Sequence, residues 1–302
     1  MKHLLDIETL DRSDIDRILA RAAEMKKTRG RHPDAPLKDE CWVLMFSKSS
    51  TRTRLSFEVG IRELGGQPIF LAANDIQLGR GEPIRDTARV MGRMAQGAVI
   101  RTYAQGDVEE FAKLSGIRTI NALTDLEHPC QILSDLLTIV EKRGSLDGLT
   151  VTFIGDGDCN VARSWIWAAS KLGFDLRIAA PAKFQPPAEL VARAGKNITV
   201  TTDVAAASRG SDVLYTDVWI SMGKEDEAAF RMAQFSGYQI NKAAVEEAGG
   251  SPLVMHCLPA YRGKEITDDV FEANAKTIFD QAENRLHMQK AIMAVLAQRP
   301  RA

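Results

Sequence analysis

The alternation of short apolar runs with longer amphipathic segments most constrains how this chain can fold. The runs are rich in β-branched and aromatic side chains, whereas the apolar residues of the segments between them recur at helical spacing. In the first half, helices are predicted at 53–64, 83–95 and 108–115, and strands at 41–46, 68–72, 97–101 and 118–121. Because strands alternate with helices over short connections, the pattern predicts a parallel sheet covered by helices.

The second half repeats this alternation, and a length of 302 residues suits two domains. Strands are predicted at 150–154, 175–179, 198–201, 212–216, 253–255 and 277–279, and further helices at 11–27, 130–141 and 281–298. We therefore expect two α/β domains, each a parallel sheet flanked by helices, joined by interdomain helices. The expected first domain is 1–143, on which the C-terminal helix 281–302 packs back, and the second is 144–280.

Composition excludes several classes of protein. The 39 Lys+Arg nearly balance the 40 Asp+Glu, which gives no sign of a nucleic-acid or membrane partner. No run approaches the roughly 18 apolar residues of a membrane helix, and the first residues lack a signal-peptide core, so a cytoplasmic protein is expected. The four cysteines form no CxxC pair and the five histidines no HExxH, so the sequence predicts neither a metal site nor disulfides.

The stretch Ser50-Thr-Arg-Thr53 lies between a predicted strand and a predicted helix. The first N–H groups of a helix have no partner within it and the helix dipole is positive there, so an anion is favoured. Hydroxyl groups and the planar guanidinium of Arg52 suit a phosphate. We interpret the stretch as a phosphate-binding turn without the glycines of a P-loop. The alternative is an ordinary helix cap with solvated arginines.

Polar residues follow most of the other predicted strands. In an open α/β sheet, ligands bind beyond the carboxyl ends of the strands, which makes these residues candidates for a site. The first half supplies groups suited to an oxyanion, namely Arg52, Arg101, His128 and Gln131. The second half supplies groups suited to a polar molecule with an ammonium, namely Asn160, Asp217, Ser221 and the backbone of Cys257 and Leu258. The predicted strand 277–279 leads to Arg285.

Five separated segments, in order and over nearly the whole chain, resemble the ornithine carbamoyltransferase family. They are Ser50-Thr-Arg-Thr-Arg54, His128-Pro-Cys-Gln131, Asp217-Val-Trp-Ile-Ser-Met-Gly223, His256-Cys-Leu-Pro259 and Ala282-Glu-Asn-Arg285. The resemblance implies that the first domain binds carbamoyl phosphate and the second L-ornithine, with no cofactor. It also implies a homotrimer with shared active sites.

The resemblance also assigns individual residues. Those that match carbamoyl-phosphate ligands are Ser50, Thr51, Arg52, Thr53, Gln77, Arg101, His128, Gln131 and Arg285, of which Gln77 matches a residue that reaches a neighbouring subunit's site. Those that match ornithine ligands are Asn160, Asp217, Ser221, Met222, Cys257 and Leu258. Two departures stand out: the segment Gly155–Asn160 is one residue longer than the family's usual Gly-Asp-Gly-Asn-Asn, and Ser47 stands where the family commonly has an acid.

The chemistry of an acyl phosphate fits the first-half residues. Attack by an amine builds an oxyanion and then expels phosphate. We therefore expect two arginines and the helix N-terminus to bind mainly the phosphate, and three donors to favour the growing charge on the carbonyl oxygen. The phosphate ligands are Arg52 and Arg101, and the carbonyl donors are Thr53, His128 and Arg285.

The second-half residues fit the amine. Asp217 is expected to bind the α-ammonium and Asn160 the α-carboxylate. No covalent intermediate is needed, so Cys257 is interpreted as orienting the δ-amine with Leu258, although it is counted among the catalytic residues together with Arg52, Arg101, His128 and Arg285. The charged segment after Ser221 is hypothesised to close on ornithine.

Rival functions make different predictions. A nicotinamide-dependent oxidoreductase is suggested by Gly155-Asp-Gly157, but Asn160 replaces the third glycine and the strand 175–179 is not followed by an acid. A binding module would bind both ligands without turnover. Aspartate as acceptor would call for cations near Asp217. The sequence leaves open whether the reaction runs toward arginine synthesis, the expected direction, or in reverse.

Overall fold

The computed structural model describes residues 1–72, 81–221 and 223–298. The chain divides into two compact units, Met1–Leu137 with Glu283–Ala302, and Thr138–Ala282. The helices are α1 (Arg12–Lys27), α2 (Thr51–Glu63), α3 (Ile84–Met91), α4 (Gln105–Ser115), α5 (Pro129–Arg143), α6 (Asn160–Leu172), α7 (Ala188–Ala194), α8 (Val204–Ser208), α9 (Ala228–Gln234), α10 (Lys242–Glu247), α11 (Asp268–Ala273) and α12 (Ala275–Ala297). The strands are β1 (Cys41–Phe46), β2 (Gln67–Ala72), β3 (Gly97–Arg101), β4 (Arg118–Leu123), β5 (Thr150–Ile154), β6 (Asp175–Ala179), β7 (Ile198–Thr201), β8 (Val213–Thr216) and β9 (Leu253–His256).

The first unit contains a parallel sheet with the strand order β2-β1-β3-β4. β1 and β3 are almost entirely buried, as expected of strands covered on both faces. The order reverses between these two strands, because β2 lies on one side of β1 and β3 on the other. Ligands bind at such a reversal, beyond the carboxyl ends of the strands, where Phe46 of β1 pairs with Arg101 of β3.

The N-terminal segment covers the β4 edge of this sheet. The Leu4 N–H donates to the Thr119 carbonyl at 2.9 Å, and the Asn121 N–H donates to the Leu4 carbonyl at 2.7 Å. The Ile7 N–H then donates to the buried carboxylate of Glu127 at 2.9 Å. The segment thereby protects a sheet edge and fixes the residue that precedes His128.

The second unit contains a parallel sheet with the strand order β7-β6-β5-β8-β9. Its order reverses between β5 and β8. Its core includes Trp165, which packs edge-on against Phe174 and Tyr215 with ring centroids 5.9 and 5.3 Å apart. The predicted fold class, parallel sheets flanked by helices, is confirmed.

Some predicted elements were wrong. Residues 277–279 form no strand but belong to α12, and α3 is shorter than the predicted 83–95. Within the predicted helix 53–64, Phe57 and Ile61 are fully buried, whereas Leu55 is 62% exposed. Among the residues described, no helix combines the length and apolar character needed to cross a bilayer.

Candidate functional site

The predicted anion-binding turn lies at the start of α2. Ser50 is the N-cap, and its Oγ accepts a hydrogen bond from the Thr53 N–H at 3.2 Å. The ordinary cap is therefore present, but it satisfies only one of the first N–H groups. Within the described ranges, the N–H groups of Thr51 and Arg52 have no acceptor. These two groups remain suited to an anion.

Three buried basic residues lie near this turn. Arg101 ends β3, His128 directly precedes α5, and Arg285 lies on α12; they are 7%, 5% and 3% exposed. The guanidinium of Arg285 donates to Thr53 Oγ1 at 2.5 Å, which links α12 to the first turn of α2. The fold of the first unit thus brings together most of the groups predicted for an oxyanion.

His128 is held in its neutral form. Burial lowers the pKa of its imidazole well below the ordinary 6.5, and the positive charges of Arg285 and Arg101 lower it further. A neutral ring can still donate one hydrogen bond, as polarising a carbonyl oxygen requires. The arginines therefore supply positive charge and His128 supplies a donor.

We expect no ionisation of His128 in the pH profile of kcat/KM between about pH 6 and pH 9. The His128→Gln variant, which keeps a donor, should lower kcat without changing the shape of the profile. Because the folded-state pKa lies below the unfolded value of 6.5, the stability contribution of His128 is complete above that pH and is lost as pH falls below it. An acid limb near pH 6.5 that disappears in His128→Gln would contradict a neutral ring.

Gln131 offers a free acceptor beside these donors. Its Nε2 donates to the buried Asp135 carboxylate at 2.9 Å, which orients the amide. Its Oε1 is buried and has no partner among the residues described. An amide oriented in this way can accept a hydrogen bond from an NH2 group.

Lys48 is a contributor that the sequence did not indicate. Its side chain is 3% exposed, forms an ion pair with Asp125, and lies over the ring of Tyr103 with 4.1 Å from Nζ to the centroid. These three residues belong to the segments that follow β1, β4 and β3. Lys48 therefore links the segments that carry Arg52, His128 and Arg101, a link between distant positions that no local pattern shows.

In the second unit, the predicted acid and amide follow the two strands at which the sheet order reverses. Asp217 follows β8, and Asn160 is the first residue of α6 after β5. The Asp217 carboxylate accepts hydrogen bonds from the Cys257 thiol at 2.9 Å and from the Val218 N–H at 2.7 Å. Burial raises its pKa above the ordinary 3.8, although these hydrogen bonds oppose the rise. A cation bound beside Asp217 would therefore stabilise the ionised form of its carboxylate.

Of three further predicted ligands, the structure describes Ser221 but neither Gln77 nor Met222. Ser221 is partly exposed, and its carbonyl accepts a hydrogen bond from the Lys224 N–H at 3.0 Å. The Gly223 N–H donates to the Glu225 carboxylate, whose nearer oxygen lies 2.9 Å from the nitrogen. Gln77 and Met222, both predicted ligands, lie outside the described residues.

A buried ion pair that the sequence analysis missed ties this region together. The Arg231 guanidinium donates to the Asp156 carboxylate at 2.7 Å and to the Trp219 carbonyl at 3.1 Å. Asp156 belongs to the segment after β5 and Trp219 to the segment after β8. Arg231 therefore fixes the segment that carries Asp217 relative to the one that carries Asn160.

Potential metal ligands also come together here, although their sequence spacing gave no sign of it. One ligand atom each of Asp217, His256 and Cys257 lies within 4.8 Å of the others. However, Nδ1 of His256 accepts the Leu258 N–H, and Nε2 faces the Glu265 carboxylate at 3.2 Å. We therefore interpret the group as a hydrogen-bonded network.

Sequence comparison identifies two family domains in the chain. Residues 2–141 match the model described as "Aspartate/ornithine carbamoyltransferase, carbamoyl-P binding domain". Residues 147–296 match "Aspartate/ornithine carbamoyltransferase, Asp/Orn binding domain". A curated ornithine carbamoyltransferase of Akkermansia muciniphila is 56% identical over 300 residues, 98% of either chain. The anabolic ornithine carbamoyltransferase of Pseudomonas aeruginosa is 48% identical, covering 98% of this chain and 97% of that one.

Solved structures give the same result. The crystal structure of the anabolic ornithine carbamoyltransferase from Campylobacter jejuni has a TM-score of 0.93 and 39% identity, and the match covers 98% of this chain and 99% of that one. The ornithine carbamoyltransferase from Pyrococcus furiosus has a TM-score of 0.90 and 42% identity, and the match covers 97% of this chain and 96% of that one.

Proposed function

The chain belongs to the aspartate/ornithine carbamoyltransferase family, and from this premise we propose that it transfers the carbamoyl group of carbamoyl phosphate to the δ-amine of L-ornithine, giving L-citrulline and phosphate. The observation that carries the proposal is the chemistry at the two sheet reversals. Cations and helix N–H groups gather at one, and an acid and an amide at the other. An anionic acyl donor and an amino-acid acceptor need these two kinds of site.

In the first unit, the phosphate is bound by Arg52, Arg101 and the N–H and hydroxyl groups at the start of α2. The carbonyl oxygen receives hydrogen bonds from Thr53, His128 and Arg285, and the NH2 group donates to Gln131. The Arg285–Thr53 hydrogen bond supports a joint role, because it already orients two of these donors. The remaining ligands proposed here are Ser50, Thr51 and Gln77.

In the second unit, Asp217 binds the α-ammonium of ornithine. The α-carboxylate is bound by Asn160 at the N-terminus of α6, where the helix dipole favours an anion. Ser221, Met222, Cys257 and Leu258 complete the site. A substrate that carries both an ammonium and a carboxylate uses both groups, which favours ornithine over putrescine or N-acetylornithine.

The reaction proceeds by direct attack. The uncharged δ-amine attacks the carbamoyl carbon and forms the C–N bond, and negative charge builds on the carbonyl oxygen. The C–O bond to phosphate then breaks with its electron pair on phosphate, which also takes the proton from the amine. Cys257 forms no bond to the substrate, and its thiol and the backbone carbonyls nearby orient the amine.

We further propose a division into domains, a cellular location and a set of partners. Residues 1–143, with the C-terminal helix 281–302, form the carbamoyl-phosphate-binding domain, and residues 144–280 form the ornithine-binding domain. The protein acts in the cytoplasm, in arginine biosynthesis, with small molecules as its only partners besides copies of itself.

The protein forms a homotrimer in which Gln77 of one copy completes the site of the next. In support, a cavity of about 580 Å³ opens beside Ser50 and Thr51, and its lining includes Leu55, which is 62% exposed, and Arg54, which lies 3.7 Å from the ring centroid of Phe70. An open cavity next to the anion-binding turn leaves room for a contribution from another copy.

An acceptor series tests the function. Carbamoyl phosphate is supplied with L-ornithine, putrescine, N-acetylornithine or L-aspartate in separate reactions, and the carbamoylated product is measured. We expect product with ornithine alone. Turnover with another amine would overturn the roles of Asp217 and Asn160, and binding of both substrates without turnover would favour a binding module.

A further inference from the structure

His256 and Glu265 are two buried residues of the second unit, and the proposed function gives neither of them a role. His256 ends β9 and is 1% exposed, and Glu265 is 0% exposed. Building on the proposed function, we propose that His256 and Glu265 are positioning residues that hold the Cys257–Leu258 backbone in the conformation that orients the ornithine amine.

The hydrogen bonds fix the protonation of the ring. The Leu258 N–H donates to Nδ1 of His256 at 2.9 Å, so Nδ1 offers a lone pair and carries no proton. The ring is therefore neutral, with its proton on Nε2. Nε2 lies 3.2 Å from Oε1 of Glu265, so it donates to that carboxylate. Glu265 thus selects the tautomer that leaves Nδ1 able to accept the Leu258 N–H.

The hydrogen bond from the Leu258 N–H to the His256 ring holds Leu258 in an unfavourable backbone conformation. Leu258 has φ of 59°, in the left-handed region that branched side chains rarely adopt. Such a conformation persists only where the surroundings enforce it. The Leu258 N–H bond to the ring is one such constraint.

Two further bonds anchor the pair. The His256 N–H donates to Oε1 of Gln281 at 2.9 Å, which fixes the residue that bears the ring. The Tyr261 N–H donates to the same Oε1 of Glu265 that faces His256. Glu265 therefore holds the segment from His256 to Tyr261 at two points. It accepts the Tyr261 N–H directly, and it acts on Leu258 through the His256 imidazole.

This segment carries groups of the proposed amine site. The Cys257 thiol donates to Asp217, and the three ligand atoms of Asp217, His256 and Cys257 lie within 4.8 Å of one another. A shift of Leu258 would move Cys257 relative to Asp217. Because a displacement of about 1 Å can cost about a hundredfold in rate, the pair should affect turnover without contacting substrate.

Matched replacements of His256 separate its two hydrogen bonds. The amide oxygen of asparagine can stand near the position of Nδ1 and accept the Leu258 N–H, whereas the longer glutamine places its amide near Nε2. We expect His256→Asn to keep kcat within about tenfold of the wild type and His256→Gln to lose about a hundredfold. In both, the KM for carbamoyl phosphate should stay within about twofold, while the KM for ornithine rises in His256→Gln.

Replacements of Glu265 test the other partner. Glutamine keeps Oε1, which accepts both hydrogen bonds, so Glu265→Gln should stay within about tenfold of the wild-type kcat. Glu265→Leu removes the acceptor, and its kcat should fall about as far as that of His256→Gln. The double variant that carries both His256→Gln and Glu265→Leu should have a kcat only slightly below that of either single variant. Glu189→Leu, at an exposed position of α7 in the same unit, is the control and should behave as the wild type.

Thermal unfolding and calorimetric titration with inorganic phosphate are measured for every variant. We expect unchanged phosphate affinity, because the phosphate ligands lie in the other unit. Wild-type kcat in His256→Gln, or losses in kcat that follow only the fraction unfolded, would overturn the positioning role while leaving the function intact. A wild-type protein that makes no citrulline would overturn the proposed function, and the positioning role with it.

Discussion

The Arg52→Ala variant is expected to lose about three orders of magnitude in kcat/KM for carbamoyl phosphate, because one well-placed donor to an oxyanion contributes about 10²–10³ and Arg52 also neutralises charge. Its Nε is buried and has no partner in the described part of the chain, so the guanidinium is available to a ligand. Initial rates at saturating ornithine measure the loss. The KM for ornithine should change little.

A matched control lies on the same helix. Arg62 is exposed near the end of α2 and forms only a 3.4 Å ion pair with Glu58, so Arg62→Ala should keep kcat/KM within about twofold. Equal losses in both variants would mean that the effect comes from general positive charge or from damage to α2. Near wild-type activity in Arg52→Ala would contradict the anion-binding turn.

The Asp217→Asn variant is expected to lose about 10²–10³ in kcat/KM for ornithine and to unfold at a higher temperature than the wild type. The two effects have one cause. Burial raises the pKa of the Asp217 carboxyl, so the unligated protein is destabilised by its ionised form, and a bound ammonium would relieve the cost. Asparagine removes the cost together with the charge that binds the ammonium.

The pH dependence of stability follows with a definite sign. Since the folded-state pKa of Asp217 lies above the unfolded value of 3.8, the penalty is absent below that pH and complete above the folded-state pKa. The melting temperature of Asp217→Asn should therefore exceed that of the wild type at neutral pH, and the difference should vanish near pH 3.8. Asp175→Asn, at the exposed first residue of β6 in the same unit, should change neither property. A less stable but fully active Asp217→Asn variant would contradict the proposed role.

Sequence reasoning succeeded where local pattern determines structure. The apolar run of β1 and the amphipathic spacing of α2 are local signals, and the structure has both elements. The positions after β1, β3, β5 and β8 were also identifiable, because polar residues follow apolar strands there. Their meeting at two sheet reversals follows from strand order, which needs the pairing partners.

The predicted strand 277–279 shows why a short run can mislead. Ile278 is fully buried and the neighbouring Phe279 is 55% exposed, an alternation that three residues show equally in a strand or a helix. The β-branched Thr277 and Ile278 favoured a strand, but these residues continue into the helix that carries Arg285. Tertiary packing of a 23-residue helix overrides so short a local preference.

The groups that the sequence analysis missed depend on contacts between distant segments. Lys48 meets Asp125, and Arg231 meets Asp156, across long stretches of chain. The protonation of His256 depends on which atoms face its two nitrogens, which no residue spacing records. Residue identity could therefore suggest the ligands of the site but not the buried pairs that hold them.

Product stoichiometry tests the central assignment most directly. Citrulline and phosphate are measured in the same reaction of the wild-type protein with carbamoyl phosphate, with and without L-ornithine. Direct transfer predicts equal amounts of the two products, and no phosphate above the uncatalysed rate when ornithine is omitted. Release of phosphate without citrulline, or no release at all, would contradict it.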